Sequence, residues 1–197
     1  MAGTNVISYI VSAYDRVDSL VACLASLDTQ DGEKEVFVCD NGPGSISLER
    51  GIPSVAIDYA VAYEWTGPTC HSCYDSANKI APLADGDWLC FPSDDSLYVA
   101  DFQKIMIETA VRTQADLVYC DMVYKCGSEV NGWKPYTVLE SEPRMGKIDK
   151  TNFIIRRELF KGFPPHPKNW RDGALIEQAI RDGAKHAKAP GILCIHQ

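Results

Sequence analysis

An α/β domain built on a mainly parallel sheet with helices on its faces is what the order of patterned segments in this chain predicts. Three observations point there. Short apolar runs of strand length alternate with segments whose apolar residues recur at helical spacing. Two of those runs are delivered onto Asp or Asn, residues depleted inside strands and favoured where strands end. The 197 residues, 46% hydrophobic and 23% charged, suffice for one domain with a real core and not for two comfortable ones.

Taken in order, residues 6–11 read as a first buried strand. Asp15 then stands where it can cap a helix, with Asp18 in the favourable first turn. Val17, Leu20, Val21, Leu24 and Leu27 recur at helical spacing and should face the sheet. Residues 35–39 are a second strand, stopped by the dense turn signal Asp40-Asn41-Gly42-Pro43-Gly44. Residues 54–58 read as a short third strand, and residues 70–83 as largely helical, running into a turn at Asp85-Gly86. A strand over 88–91 follows.

Beyond it, Phe102, Ile105, Met106 and Ala110 mark an amphipathic helix, and residues 116–120 begin another strand. Residues 125–150, rich in Gly, Pro, Lys and aromatics without a clear period, read as hairpin and loop. Residues 152–156 look like a strand and 162–167 like an ordered loop. Asp172 opens a last helix with Leu175, Ile176, Ala179 and Ile180 on one face and Gly183 at its stop. Residues 192–195 form a final strand.

The net charge of −8 argues against a chain that coats nucleic acid or an anionic membrane. The charge is uneven. Residues 1–143 hold 8 Lys and Arg against 22 Asp and Glu, whereas residues 144–197 hold 11 against 5. A locally basic segment in an acidic protein suits a discrete anionic ligand, or else is a solvated basic face. No run of about 20 apolar residues is present to span a bilayer, and the first residues lack a secretory leader's basic and apolar regions, so a cytoplasmic location is expected. Of eight cysteines, Cys23, Cys39, Cys90, Cys120 and Cys194 lie in apolar runs and read as reduced, buried hydrophobes. Cys70-His71-Ser72-Cys73 has the spacing of a metal knuckle, but no second pair completes a zinc site.

The most informative stretch is Trp88-Leu89-Cys90-Phe91-Pro92-Ser93-Asp94-Asp95. A buried strand should deliver two adjacent carboxylates to the sheet's C-terminal edge, where open α/β sheets bind ligands. Two carboxylates there make a hard-oxygen site suited to Mg²⁺ or Mn²⁺, ions that commonly share a site with substrate phosphates. The competing reading is that Asp94, Asp95 and Ser96 cap the next helix.

Three segments, in this order, resemble the family 2 glycosyltransferases, which have the GT-A nucleotide-diphospho-sugar transferase fold. The first runs from Ile10-Val11-Ser12-Ala13-Tyr14-Asp15-Arg16, through Ser26-Leu27, to Val38-Cys39-Asp40-Asn41-Gly42. The second is Ser76-Ala77-Asn78-Lys79 followed by residues 84–91 and Asp94-Asp95; the third covers residues 152–163 with Trp170-Arg171-Asp172. The chain departs from the family pattern in three places. Ser12-Ala13 stands where the first loop usually has Pro, Ser93 replaces the first carboxylate of the acidic motif, and Arg171 replaces one of an acidic pair.

The resemblance implies an inverting, metal-dependent transferase of hexosyltransferase type, moving a sugar from a nucleotide-diphosphate donor, a UDP-sugar, to an acceptor hydroxyl. It implies one GT-A domain over residues 1–197, with a nucleotide-binding half over 1–95 and an acceptor-binding half over 96–197. Asp95 is then a metal ligand, Asp94 a contact to ribose or metal, and His196, following the last strand, a further metal ligand, with Mn²⁺ or Mg²⁺ as cofactor. Ser12, Tyr14, Asp15, Arg16, Asp40 and Lys79 fall on the nucleotide-sugar side, and Asp172 is the general base. Five of these have a plainer alternative: Asp15 and Asp172 as helix caps, Asp40 as a turn former, Lys79 as a solvated cation, His196 as incidental. Two other functions compete. A nucleotidyltransferase usually carries a Gly-rich, basic loop after its first strand, which residues 12–16 do not form. A non-catalytic sugar- or nucleotide-binding domain would keep its affinity on Asp172→Asn with no transfer to lose.

Overall fold

The computed structural model describes residues 5–59, 61–66, 72–125, 135–166 and 170–197. In chain order the first half runs β1 (Ile7–Ala13), α1 (Val17–Asp28), β2 (Lys34–Asp40), α2 (Gly44–Glu49), α3 (Ile52–Asp58), β3 (Ala62–Trp65), α4 (Cys73–Ile80) and β4 (Trp88–Cys90). The second runs β5 (Ser96–Tyr98), α5 (Phe102–Thr113), β6 (Leu117–Lys125), β7 (Tyr136–Leu139), β8 (Phe153–Arg156), α6 (Arg171–Arg181) and β9 (His186–His196). One sheet gathers all nine described strands in the order β3-β2-β1-β4-β8-β6-β9-β5, with β7 on the flank of β6.

The expected α/β class holds, and the helix-flanked sheet with it. The strands β3, β2, β1 and β4 are all parallel, as is the long β6–β9 pairing. Around β8 the sheet turns antiparallel, as do the β5–β9 and β6–β7 pairs. Because β8 reverses against both β4 and β6, the strand β9 ends pointing the same way as β4. The C-terminal ends of β1, β2, β4 and β9 therefore share one edge. After β3 the chain crosses back to the other side of β1, which makes the β1/β4 gap the switch point where such sheets bind ligands.

Period-two alternation sets the two cores. Ile7, Tyr9, Val11, Trp88, Cys90, Val118 and Ile154 pack against Leu20, Leu24 and Leu27 of α1 and Phe102 and Met106 of α5. Their neighbours Ile10, Leu89, Phe91, Leu117, Phe153 and Ile155 pack the other way, against Ile80 of α4 and Leu175 and Ile176 of α6. Strands buried on both faces need the continuous apolar runs seen here.

Several local expectations are corrected. Residues 54–58 lie in α3; a five-residue segment with three apolar residues cannot be assigned to strand or helix from its period alone. The true third strand, Ala62–Trp65, is mostly exposed at the sheet edge, and its four residues are too few for an alternation to register. Asp15 does not cap α1: Arg16 holds the cap position, without a side-chain capping bond to the helix, and Asp15 sits at φ 56°. Asp94 and Asp95 precede a strand, β5, and so cap no helix. Asp172 lies inside the first turn of α6, whose cap position is Trp170. The final strand is longer than expected, 186–196, with register shifts where it passes β6. Cys70 and His71, and Pro167 of the expected loop, lie outside the described residues; Cys23, Cys73, Cys90, Cys120 and Cys194 are free thiols. No helix among the described residues is long and apolar enough to cross a membrane.

Candidate functional site

The acid pair is fixed by backbone before any side chain acts. Ser12 and Ser93 form a parallel bridge, the Ser12 amide donates to Pro92 O at 3.0 Å, and the Asp94 amide donates to Ser12 O at 3.0 Å. The end of β4 is thus stitched to the end of β1. On the other side β5 pairs with β9, placing Ser96 opposite His196, and the Gln197 amide donates to Asp95 O at 3.0 Å.

Asp94 is fully buried and Asp95 is 8% exposed. Asp94 Oδ2 accepts from the Tyr14 amide at 2.9 Å and from Arg16 Nε at 3.2 Å, while Arg16 Nη2 bonds Asp94 Oδ1 and Arg16 Nη1 bonds Asp95 Oδ2. Asp95 Oδ1 is buried without an aligned hydrogen-bond donor, though His196 Nε2 stands 3.2 Å away. His196 Nδ1 in turn faces Asp149 Oδ2 at 3.6 Å. Burial lifts the Asp94 carboxyl above its usual range, against the Tyr14 amide and Arg16. Burial works the same way on Asp95, but His196 and then Arg16 outweigh it, so that carboxyl falls below its usual range. For His196, burial favours the neutral ring, but Asp149 and Asp95 raise it to about 9.

Asp149 belongs to a tight turn. Its Oδ1 accepts from Thr151 N at 2.9 Å and Thr151 Oγ1 at 2.8 Å, and its own amide donates to Asn152 Oδ1 at 3.2 Å. Burial opposes its ionisation, yet His196 and the Thr151 amide hold it well below the carboxylate range. The next residue, Lys150, is buried at 3% exposure and donates to Phe91 O at 3.0 Å, beneath the strand that carries the acids.

Asp172 faces the same space. It is 7% exposed, its Oδ1 accepts from the Gly173 amide at 2.8 Å, and its carboxyl is pushed up to about 6 by burial first and by the Asp149 charge second. Arg171, the departure from the family pattern, staples α6 in place. It donates to Ser72 Oγ at 3.0 Å and to Pro164 O at 3.0 Å, and pairs with Asp75 at 2.8 Å. Gly173 allows a close approach, since a Cβ there would lie 2.4 Å from Met145 Cα. Gly173→Ala should therefore displace the first turn of α6, costing about 1–3 kcal/mol of stability and moving Asp172; thermal denaturation and donor turnover measured together check it.

Two cavities flank the acids. One of about 270 Å³ is lined by Ser12, Tyr14, Arg16, Asn41, Ser72 and Ser93. The other, about 380 Å³, is lined by Tyr74, Tyr124, Asp149, Trp170, Asp172 and His196 among others. A larger one of about 450 Å³, around Asn78, Pro82, Arg157 and Phe160, holds no carboxylate.

Most expected site residues are brought together here: Ser12, Tyr14, Arg16, Asp94, Asp95, Asp172 and His196. Asp15 stands just outside, paired with Arg50 at 2.9 Å. Asp40 lies at the end of β2 but turns inward, accepting from the Gly42 amide, Ser47 Oγ and Tyr63 OH. Lys79 sits near the far end of α4, facing Glu64 at 3.8 Å. Asp149 and Lys150 were not anticipated. The signal that could have found Asp149 is its Asp-Lys-Thr-Asn stretch, an Asx-turn pattern between strand-like runs.

The residues fit a divalent cation in part. Asp95 Oδ1 is a buried, underused oxygen with an imidazole beside it. Among the described residues no group of three or more His, Cys, Asp or Glu is arranged as a metal cluster. The protein can thus offer one or two ligands and leave the rest to phosphate and water, the usual manner of Mg²⁺ and Mn²⁺.

The sequence profile described as glycosyl transferase family 2 matches residues 8–180. The chain belongs to that family. Among solved structures, residues 1–349 of TarS from S. aureus superpose with a TM-score of 0.72 at 19% identity, over 97% of this chain and 60% of that one. The same TarS segment in complex with UDP-GlcNAc gives 0.71 at 17%, over 96% and 57%. The mannosyltransferase PcManGT from Pyrobaculum calidifontis, in complex with GDP-Man and Mn²⁺, gives 0.69 at 16% identity, over 96% and 56%. At such identities the likeness is one of fold, and this family 2 chain spans about 60% or less of the length of these neighbours. No curated protein sequence gives a significant match.

Proposed function

We propose that this family 2 chain is a metal-dependent, inverting glycosyltransferase that moves a hexosyl group from a UDP-sugar to an acceptor hydroxyl. The observation that carries the reading is the Asp94–Asp95 pair at the β1/β4 switch point, with a cavity on each side and Asp172 in the second. Residues 1–95 hold the donor and residues 96–197 the acceptor.

In this reading the donor's nucleotide lies in the cavity of Ser12, Tyr14 and Asn41. Tyr14, 57% exposed, offers a face for the base. Asp40 fixes the turn that carries the lining residue Asn41, and Asp15, held by Arg50, lies between the lining residues Tyr14 and Arg16. The role of Lys79 is to reach a donor phosphate, which needs it to leave Glu64. Asp95, with His196 and Asp94, would hold Mn²⁺ or Mg²⁺. A divalent cation bound there supplies Lewis-acid neutralisation of the departing diphosphate. The complexes of TarS with UDP-GlcNAc and of PcManGT with GDP-Man and Mn²⁺ support a nucleotide-diphosphate donor and a cation.

Asp172 accepts the proton of the acceptor hydroxyl as that oxygen attacks the anomeric carbon. A carboxyl raised to about 6 is ionised at neutral pH and still basic enough to take a proton. Attack from the face opposite the diphosphate inverts the anomeric centre and calls for no covalent intermediate. Calorimetry with UDP and Mn²⁺ tests the donor side: UDP binding that Mn²⁺ strengthens is expected. Absence of any response to UDP or other nucleoside diphosphates with metal present would overturn the proposal.

A further inference from the structure

Arg16 does something at the acid pair that donor binding alone does not explain. All three of its guanidinium nitrogens are spent on the two carboxylates: Nε and Nη2 on Asp94, Nη1 on Asp95. Of the four carboxylate oxygens only Asp95 Oδ1 is left without an aligned donor. The geometry is held deliberately. Asp15, just before it, is in the left-handed region at φ 56°, and Arg50 grips both the Asp15 carboxylate and its backbone oxygen at 2.9 Å. A non-glycine residue there is under mild strain and persists because its surroundings fix it. Yet Arg16 itself is half exposed and lines the donor-side cavity. With His196 on the other flank, the two acids already face two cationic groups.

We propose that Arg16 is a built-in counter-cation that competes with the divalent ion for Asp94 and Asp95 and moves to the donor's diphosphate when that arrives. The inference rests on the reading of the acid pair as the donor–metal site and adds an order of events to it. While Arg16 stays on the acids, an ion entering alone meets engaged oxygens and unfavourable charge. A diphosphate in the adjoining cavity gives the guanidinium a bidentate partner of its own and frees the carboxylates. Ion and diphosphate then strengthen each other's binding, and by linkage they do so reciprocally.

The test is Mn²⁺ binding to the full chain, followed by calorimetry or by the loss of the free-ion resonance signal, in wild type, Arg16→Gln and Arg16→Lys. Arg16→Gln should bind Mn²⁺ alone about 10-fold more tightly than wild type, within the range of ordinary coupling. Arg16→Lys, which keeps the charge but not the fork, should fall between. The gain that UDP gives to Mn²⁺ affinity should shrink in Arg16→Gln by a similar factor. Adding Asp95→Asn should abolish the tightened binding, and melting curves in chelator establish that each variant is folded. Unchanged or weaker Mn²⁺ binding by folded Arg16→Gln, in a protein whose wild type takes up UDP with Mn²⁺, overturns this inference alone. A tightening that survives Asp95→Asn overturns it as well. If neither protein binds Mn²⁺ even with UDP, the functional reading falls and the inference with it.

Discussion

Asp172→Asn is expected to lower sugar transfer by about 10²–10⁴-fold, the usual worth of a positioned general base, while leaving Mn²⁺-dependent UDP affinity nearly unchanged. The same substitution should make the protein more stable. Burial and the Asp149 charge raise this carboxyl to about 6, above its unfolded value near 4. A group raised in the folded state favours folding below about pH 4 and loses that contribution as pH climbs through 6. At pH 7 the ionised Asp172 therefore opposes folding, by about 3 kcal/mol at most for a shift of roughly two units. The amide of Asn can keep the bond from the Gly173 N–H without the charge. A rise in Tm of several degrees with transfer nearly lost would separate a base from a structural acid; a fall in Tm with transfer intact would refute the assignment.

The pH dependence follows from the same group. Wild-type kcat/KM should rise with pH and level off above about 6, because the base must be ionised. The groups that face it set the position of that limb: Asp149 raises it, Lys150 lowers it, and Tyr74 packs alongside with its own hydroxyl pushed up by burial and by Asp172. Asp149→Asn should accordingly shift the limb to lower pH. A profile flat between pH 5 and 8 would mean that another group takes the proton.

The second large effect concerns Asp95. Its replacement by Asn removes the ionised oxygen beside His196 and leaves one carboxylate, Asp94, whose own ionisation burial resists. Donor affinity in the presence of Mn²⁺ should fall by about 100-fold or more, since even indirect partners of metal ligands are worth about 10- to 100-fold. Affinity for UDP without metal should change little. Equal losses with and without Mn²⁺ would place Asp95 on the nucleotide instead of the ion. Asp94→Asn is the useful comparison, because it should loosen Arg16 and the Tyr14 amide as well.

What the sequence revealed and what it hid divide along a physical line. The β1, β2 and β4 runs, the α1 and α5 stripes and the acids after Phe91 are local patterns, and strands buried on both faces leave strong ones. The short or exposed elements β3, β5 and α2 leave almost none, and residues 54–58 are too few for a period to separate helix from strand. The site was legible where one strand end carries it. It was hidden where distant segments converge: the Asp149 turn and His196, 47 residues apart, meet only because β9 runs alongside β6. Arg16 was identified as a site residue, but its partners, 78 and 79 residues on, are set by the β1–β4 stitching, which no local pattern encodes.

That stitching has a dynamic consequence. The amides of Ser12, Asp94, Ser96 and Gln197 all end on backbone carbonyls within the same apron of chain, which the Ser12–Ser93 bridge ties to the end of β1. Segments bonded in this way open only with the cooperative unit they are tied to, so this apron should exchange its amide hydrogens on the timescale of the central strands and not of a surface loop. The adjustments that accompany a ligand's arrival are then left to side chains, and little ordering entropy remains to be lost by the main chain when the complex forms.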